Sequence, residues 1–373
     1  MTRRRSAGED SIFFWKQKGL WVGRITLPDG KKKTKYNKKQ KVVKDWLLTE
    51  RNKLKQGIFI SDEKMSLETF LRRYLEDYGK RSLRLTTYES YKFIVECHII
   101  PELGSIKLKD LRADQINHLL SKEIETGRSN RFAAYVLAVL KASLNLAVKW
   151  ELLSKNPALM VSPPKVEFAV PETWSGQELK KFLNHVKDDR WAGIYFLACT
   201  GMRKGEILGV PLNALHLDKG YLVVLQTLYR TREKGIILQE PKTKKSRRMI
   251  VLPDFVKAAL EIHLAKRKAL SQSPQWQESG LVFTTDIGTS INPHNLLKHF
   301  KAKTAEADLP RIKFHSLRHS VASILLENNT HPKLVAELLG HSSVNLTLNQ
   351  YSHIINPMNT VVADTLNKVV DLE

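Results

Sequence analysis

Four residues near the carboxyl end of the chain have side chains suited to chemistry on a phosphodiester. His315 and Arg318 stand three residues apart in HSLRH, His341 follows in LGHSS, and Tyr351 comes ten residues later. An arginine fork matches phosphate oxygens, histidine donates a hydrogen bond or moves a proton near neutral pH, and tyrosine is a covalent nucleophile. A histidine followed three residues later by an arginine occurs roughly once by chance in a chain this basic, so the set needs support from elsewhere.

Two upstream segments supply that support. In ACTGMRKGEILGV, Gly201 ends an apolar run, and Arg203 and Glu206 then lie on one face of a new helix. In LQEPKTKKSRRMIVLP, Lys242 lies in a basic turn between two apolar strand candidates. A phosphate-binding site would bring these segments together with the carboxyl-terminal one.

Taken together, the motifs resemble the tyrosine recombinase, or phage integrase, family. The matching residues are Arg203 in TGMRKGE, Lys242 in PKT, His315 and Arg318 in HSLRH, His341 in LGHSS and Tyr351 in NQYSH. They stand in the family's order and at its usual spacings. The resemblance covers nearly the whole chain and is strongest over residues 195–355.

The resemblance implies the integrase of a phage or integrative conjugative element, which performs site-specific DNA recombination. Tyr351 would attack a backbone phosphorus, form a 3′-phosphotyrosine and release a 5′-hydroxyl, so that a second strand can reverse the step without ATP. Charge developing on the non-bridging oxygens requires fixed positive donors, and we assign this role to Arg203 and Arg318. His315 and His341 would donate to the phosphate or handle the proton of the nucleophile.

The leaving 5′-oxygen needs a proton, for which the sequence offers three lysines in one turn. Lys242 is our general acid because it fills the lysine of the family's Lys-Thr pattern, and Lys244 and Lys245 are its rivals. The same segment could also be only a charged hairpin turn.

Other polar residues near the motifs have structural interpretations beside the functional ones. Glu206 would orient Arg203 or His315, or be no more than a surface partner of the arginine. His341, after a glycine, could simply cap a helix end. We interpret His319 and His353 as bystanders or packing groups.

The composition of the chain indicates which class of partner and which cellular compartment to expect. The chain has 373 residues with a formal charge of +23 and a pI near 9.8, which indicates a nucleic-acid partner. Cys97 and Cys199 lie in apolar helical contexts and are predicted to be reduced core residues. The basic start MTRRR has no adjoining apolar stretch of signal-peptide length and no apolar run reaches membrane-spanning length, so we expect a bacterial cytoplasmic, nucleoid-associated protein without a membrane partner.

Neither metal nor cofactor chemistry is indicated. The sequence lacks an acidic cluster with ligand spacing, a Cys/His pattern suited to zinc and a glycine-rich phosphate loop. We therefore expect no cofactor and no metal.

The elements that must position the site predict a multidomain α+β protein. Residues 1–62 are predicted to form a three-stranded sheet followed by a helix, resembling the family's arm-binding domain, with Asp29-Gly30 as a turn. The aromatic residues Phe14, Trp15 and Trp21 are predicted to be core. Candidate DNA contacts in this domain are Lys31, Lys32 and Lys33.

Three further segments follow. Residues 63–162 contain four predicted helices and resemble the family's helical core-binding domain, in which Arg84, Arg128 and Arg131 are candidate DNA contacts. Residues 163–172 form a proline-containing linker, and residues 173–373 are the predicted catalytic domain, mainly helical with a small antiparallel sheet.

The family assembles as four protomers on two DNA segments. The expected partners are therefore double-stranded DNA attachment sites and three further copies of the chain, which is a monomer when free. A directionality factor or a host DNA-bending protein is a further candidate partner. The tail MNTVVADTLNKVVDLE has apolar spacing for a short helix, and we predict that it docks on a neighbouring protomer.

Two alternatives stay open at this point. A type IB topoisomerase uses similar residues to nick and reseal one duplex, and it would relax plasmid without an attachment site. A DNA-binding protein with a vestigial catalytic set would form no covalent adduct.

Overall fold

The computed structural model describes residues 11–26, 30, 32–55, 65–166, 171–241, 247–341 and 343–351. These belong to two compact units, residues 1–167 and 168–373. Lys31, Lys242, Lys244, Lys245, His353 and the predicted docking tail lie outside the described residues.

The first unit begins with the predicted three-stranded sheet. Strands β1 (Ser11–Trp15), β2 (Leu20–Thr26) and β3 (Lys32–Asn37) pair antiparallel in the order β1-β2-β3 and are followed by helix α1 (Gln40–Lys55). A Cβ atom at Gly23 would lie 2.6 Å from Cγ1 of Val43, so the glycine lets α1 pack closely on one face. The core prediction for Phe14 is wrong, because this side chain is 44% exposed. A sheet covered by a single helix buries too few positions for every aromatic residue of β1.

The remainder of this unit is helical. Helix α2 (Leu67–Arg73), a π-helical turn (Tyr74–Gly79) and α3 (Lys80–Ser82) follow one another directly. The other helical segments are α4 (Leu85–Ile94), a π-helical turn (Val95–Ile99), α5 (Ile100–Leu103), α6 (Ala113–Glu125) and α7 (Asn130–Lys149). Their inward faces form one apolar core, to which α7 contributes the fully buried Val136, Leu140 and Leu144.

Among the described helices, α7 is long and apolar enough to cross a membrane by length and composition, contrary to the expectation from the sequence. Its apolar face lies in the core just described, which accounts for its composition. The core prediction for Cys97 is also wrong: this thiol is exposed, and Cys199 is partly buried. Helical periodicity leaves one side of such a segment facing water, and Cys97 lies on that side.

The second unit is mainly helical with two small sheets. Its helices are α8 (Gly176–Val186), α9 (Ala192–Ala198), α10 (Lys204–Leu208), α11 (Asp254–Leu270), α12 (Pro293–Glu306), α13 (Phe314–Glu327), α14 (Pro332–Leu339) and α15 (Val344–Gln350). Its strands are β4 (Leu215–His216), β5 (Tyr221–Val223), β6 (Thr227–Thr231), β7 (Gly235–Gln239) and β8 (Met249–Val251).

The strands on either side of the lysine segment belong to different sheets. Strand β7 pairs with β6, whereas β8 pairs with β5 in the sheet β4-β5-β8. Strands β7 and β8 are therefore not the two arms of one hairpin, and the lysine segment between them lies outside the described residues.

Candidate active site

Arg318 joins three distant segments of the second unit. It lies in the first turns of α13 and is 3% exposed. Its Nη1 donates to the backbone oxygen of Gly201 at 2.6 Å, and its Nη2 donates to that of Leu339 at 2.5 Å. Burial and the charge of nearby Arg203 lower the pKa of Arg318 to about 9, so the guanidinium stays cationic at neutral pH.

Arg203 is placed by the start of α10. It is the N-cap residue, and its backbone N–H donates to the carboxylate of Glu206 at 2.9 Å, as in a capping box. The Arg203 side chain donates to the same carboxylate at 2.8 Å yet is 39% exposed. Glu206 therefore sets the direction of this guanidinium, which is one of the two contacts predicted for it.

Arg248 is a site residue that the sequence interpretation missed. Its side chain is 8% exposed, and its Nη2 donates to Glu206 at 2.9 Å while its Nε donates to the backbone oxygen of Leu338 at 3.0 Å. A signal for it existed: Arg248 stands two residues before the buried Ile250, so it shares the inward face of that strand. Burial alone would raise the pKa of Glu206, but hydrogen bonds and charge from Arg248 and Arg203 outweigh burial and lower it.

His341 is held at a sharp helix end. Gly340 ends α14 with a φ of +63°, and the backbone N–H of His341 returns to the carbonyl of Ala336 at 2.9 Å. The ring nitrogen Nδ1 lies 2.7 Å from the hydroxyl of Thr347 on α15. The capping interpretation therefore holds for the backbone, while the imidazole contacts the helix that precedes Tyr351.

Both predicted site histidines have depressed pKa values. Desolvation, followed by the neighbouring titratable ring of His319 and the charges of Arg318 and Arg203, lowers the pKa of His315 to about 4, although its side chain faces solvent. Burial and the charges of the same two arginines lower the pKa of His341 to about 4. Both rings are therefore neutral at pH 7 and have a hydrogen-bond donor without carrying charge.

Tyr351 lies directly after α15 and is 2% exposed. It packs with Leu326, Val335 and Leu339 in a small apolar cluster. Its hydroxyl lies 2.8 Å from Nδ1 of His319. His319, interpreted from the sequence as a bystander or packing group, thus contacts the predicted nucleophile directly. A period of four along α13 places His319 beside His315, and their rings meet at 5.0 Å between centroids.

A basic cleft opens beside Arg203 and His315. It encloses about 1040 Å³. Its cationic lining includes Arg203, Lys204, Arg230, Lys298, Lys301 and Arg311, with Glu172 as an acidic member. Positive charge concentrated in a groove of this kind attracts a phosphate backbone.

The predicted DNA contacts at residues 32–131 belong to the first unit, whereas the candidate active site belongs to the second. Lys32, Arg84, Arg128 and Arg131 are exposed, whereas Lys33 pairs with Glu50 at 2.9 Å. Arg128 also lies over the ring of Phe132. Among the described residues, no group of three or more His, Cys, Asp or Glu side chains is arranged to hold a metal.

Comparison with known proteins identifies the family. The sequence pattern of the phage integrase family matches residues 173–356, and that of the phage integrase N-terminal SAM-like domain matches residues 66–124. A tyrosine recombinase XerC-like protein of Caldanaerobacter subterraneus is 32% identical over 338 residues, which cover 85% of this chain and 86% of that protein. The chain belongs to the phage integrase family. It is thus a tyrosine-type site-specific DNA recombinase, as predicted, and the topoisomerase and inactive alternatives are not favoured.

Further relatives of this recombinase are integrases of mobile elements. The ICEBs1 integrase of Bacillus subtilis is 25% identical, covering 76% of this chain and 78% of that protein. The Tn1549 transposon integrase, solved with transposon right end DNA, matches with a TM-score of 0.64 at 22% identity over 77% of this chain and 95% of that one. A lambda integrase dimer bound to a COC′ core site matches with a TM-score of 0.58 at 17% identity, over 94% of this chain and 96% of that one. These structures confirm the predicted α+β fold class.

Proposed function

We propose that Tyr351 is the nucleophile of this recombinase and attacks a phosphorus of duplex DNA to form a 3′-phosphotyrosine. The supporting observation is the convergence on Arg318 of Gly201, Leu339 and the cluster of Tyr351, beside a basic cleft. Because Tyr351 is 2% exposed in the DNA-free chain, attack requires that DNA binding open a path to the phenol oxygen.

Arg203 and Arg318 neutralise the charge that develops on the non-bridging oxygens of the phosphate. Arg318 is held by two backbone carbonyls and Arg203 by Glu206, so neither guanidinium has to be organised at the moment of reaction. His315 and His341 are neutral hydrogen-bond donors to the same phosphate, in keeping with their low pKa values. Glu206 is a positioning residue.

Lys242 is the proposed general acid for the leaving 5′-oxygen, with Lys244 and Lys245 as rivals. The lysine segment follows β7 and leads into Arg248, which is bound to Glu206. Arg248 and Arg203 bind the same carboxylate, so the described chain that follows the segment is fixed beside Arg203, which supports a lysine of this segment as the acid. A lysine close to several cations releases its proton more readily than one in water.

The proposed partners are double-stranded attachment sites and three further copies of the chain. A lambda integrase tetramer bound to a Holliday junction matches this chain over 93% of its length with a TM-score of 0.58, which supports the assembly. Residues 1–62 would bind arm-type sites, residues 63–162 would clamp the core site, residues 163–172 would link them to the catalytic domain over 173–373, and the tail would dock on a neighbouring protomer. A directionality factor or a host DNA-bending protein is a further proposed partner. The proposed location is the cytoplasm, in association with the nucleoid.

A nicked suicide substrate carrying the attachment site tests the chemistry. The downstream fragment diffuses away after cleavage, so the wild-type chain should accumulate a covalent protein–DNA adduct through Tyr351. The Tyr351→Phe variant should bind the same DNA and form no adduct, while Tyr221→Phe, on strand β5 outside the site, should behave as wild type. Absence of an adduct with the wild type, or its persistence in Tyr351→Phe, would contradict the proposal.

A further inference from the structure

The hydroxyl of Tyr351 has a defined partner. It lies 2.8 Å from Nδ1 of His319, the residue that follows Arg318 on α13. The apolar cluster of Leu326, Val335 and Leu339 surrounds the rest of the phenol. A buried hydroxyl in such surroundings depends on this contact for its hydrogen bond.

The protonation states of Tyr351 and His319 determine which of the two donates the hydrogen bond. Burial raises the pKa of Tyr351 to about 12, in spite of the opposing charge of Arg318, so the phenol keeps its proton at neutral pH. Burial and then the charge of Arg318 lower the pKa of His319, so this ring is neutral. A neutral imidazole with its hydrogen on Nε2 leaves Nδ1 free to accept, and the phenol is then the donor.

The other groups around His319 include a second, more distant donor to Nδ1. The ring of His315 stands perpendicular to it at 5.0 Å, and His341 and Arg318 are its further titratable or charged neighbours. The side-chain amide nitrogen of Gln350 lies 3.1 Å from the same Nδ1 and also donates toward it, but the hydroxyl of Tyr351 is the nearer donor at 2.8 Å. Within the described chain, no carboxylate forms a hydrogen bond with this ring, so nothing close by raises its pKa through a negative charge.

We propose that His319 is the catalytic base that accepts the proton of Tyr351, an assignment that rests on the proposed function. As the phenol oxygen bonds to phosphorus, its proton passes to Nδ1 of His319, and the bond from phosphorus to the 5′-oxygen breaks. The 5′-oxygen takes its proton from a separate acid. Rejoining reverses both transfers, so the imidazolium returns its proton to the departing phenolate.

His315 is the obvious competitor for this task, and the geometry separates the two. His315 lines the basic cleft and lies near Arg203, where it faces the expected phosphate. His319 lies one turn further along α13 and makes the direct contact with the hydroxyl. The two histidines would thus serve the phosphate and the nucleophile respectively.

Replacement by asparagine tests the proposal. The side chain of His319→Asn places an acceptor near the position of Nδ1 but cannot take up a proton, so the contact persists without the base. Adduct formation on the nicked substrate should slow by about 10²–10⁴-fold while DNA affinity is unchanged. The wild-type rate should fall as the pH drops through the pKa of His319, below its usual range. This decline should be absent in the variant. The variant should keep only a second decline near pH 4, where His315 and His341 become protonated.

A substrate with sulfur in place of the 5′-bridging oxygen separates the base from the acid. A thiolate leaves without a proton, so this substrate should restore cleavage by Lys242→Ala but not by His319→Asn. His185→Asn, a surface histidine on α8, is the matched control and should match the wild type on both substrates.

Several results would overturn the assignment. A wild-type rate and pH profile in His319→Asn would show that the contact only positions the phenol. Faster cleavage by His319→Ala would show that the histidine restrains the nucleophile. If the sulfur substrate restored cleavage by His319→Asn, His319 would act on the leaving 5′-oxygen rather than on Tyr351. A wild-type chain that forms no adduct would instead contradict the proposed function itself.

Discussion

At the scale of single residues, Glu206 is shared between two arginines with different surroundings. Arg203 reaches toward the cleft, whereas Arg248 is buried and also bound to the backbone at the end of α14. A carboxylate this deeply buried is tolerable only while it is paired and hydrogen-bonded. Arg248 thus maintains the group that aims Arg203.

Removing Arg248 should expose this dependence. Arg248→Met leaves the buried carboxylate with one partner and should lower the free energy of unfolding by about 3–5 kcal/mol at pH 7. Because folding lowers the pKa of Glu206, the ionised carboxylate stabilises the fold at pH values above its pKa in the unfolded chain. This stabilisation is lost as the pH falls through its pKa in the folded chain. The difference between variant and wild type should therefore shrink at acidic pH.

Urea unfolding at pH 7 and at successively lower pH values below the ordinary pKa of a glutamate measures this effect, and the adjacent arginine supplies the control. Arg247 pairs with Glu240 on the surface, where both side chains are largely exposed. Arg247→Met should change stability by less than about 1 kcal/mol. Equal effects of the two substitutions would refute the role assigned to Arg248.

At the scale of elements, the loop between α9 and α10 supplies a carbonyl for Arg318. Gly201 has a φ of +76°, a conformation that L-residues adopt only with strain, and a Cβ atom here would lie 2.9 Å from Cδ2 of Leu339. The backbone oxygen of the same glycine accepts the hydrogen bond from the guanidinium. Backbone conformation and site geometry are therefore coupled at this loop.

Gly201→Ala should thus be both less stable and slower. Backbone strain should cost about 1–2 kcal/mol, and displacement of the carbonyl should slow adduct formation through Arg318. Gly220 has a similar φ of +70°, but a Cβ atom there would have no neighbour within 4 Å, so Gly220→Ala should show the loss of stability alone. Thermal unfolding and suicide-substrate rates measure the two effects, and equal rates for the two variants would rule out the coupling.

At the scale of the whole molecule, a charge of +23 predicts DNA binding that weakens steeply with salt. Each phosphate contact contributes about −0.9 to the slope of log K against log salt concentration. Substituting alanine for Lys298, Lys301 and Arg311, which line the cleft, should make the slope shallower by up to about 3. The measurement is a titration of attachment-site DNA at several salt concentrations.

Three exposed lysines outside the cleft lining provide a matched control for this triple variant. Alanine at Lys219, Lys266 and Lys268 changes the net charge by the same amount. If affinity depends on the cleft, this control should keep a slope close to that of the wild type. Equal slopes for both triple variants would show that total charge, rather than the cleft, governs binding.

Much of the local structure of this recombinase follows from the sequence by itself. The second unit is mainly helical with small antiparallel sheets, as the sequence predicts for residues 173–373. Helical hydrogen bonds join residues four apart, and the caps that end helices are local, so a short segment contains the needed information. The motifs around Arg203, Arg318 and Tyr351 were found in the same way.

Only the tertiary structure determined which distant groups meet. Strand β7 pairs with β6 rather than β8, Arg248 binds Glu206 across 42 positions of sequence, and His319 contacts Tyr351 across 32. These contacts depend on how strands register and helices pack, and many distant partners satisfy the same polarity pattern. The sequence alone therefore predicted the reacting groups, whereas the packing of α14 against both α13 and α15 decided which histidine contacts the predicted nucleophile.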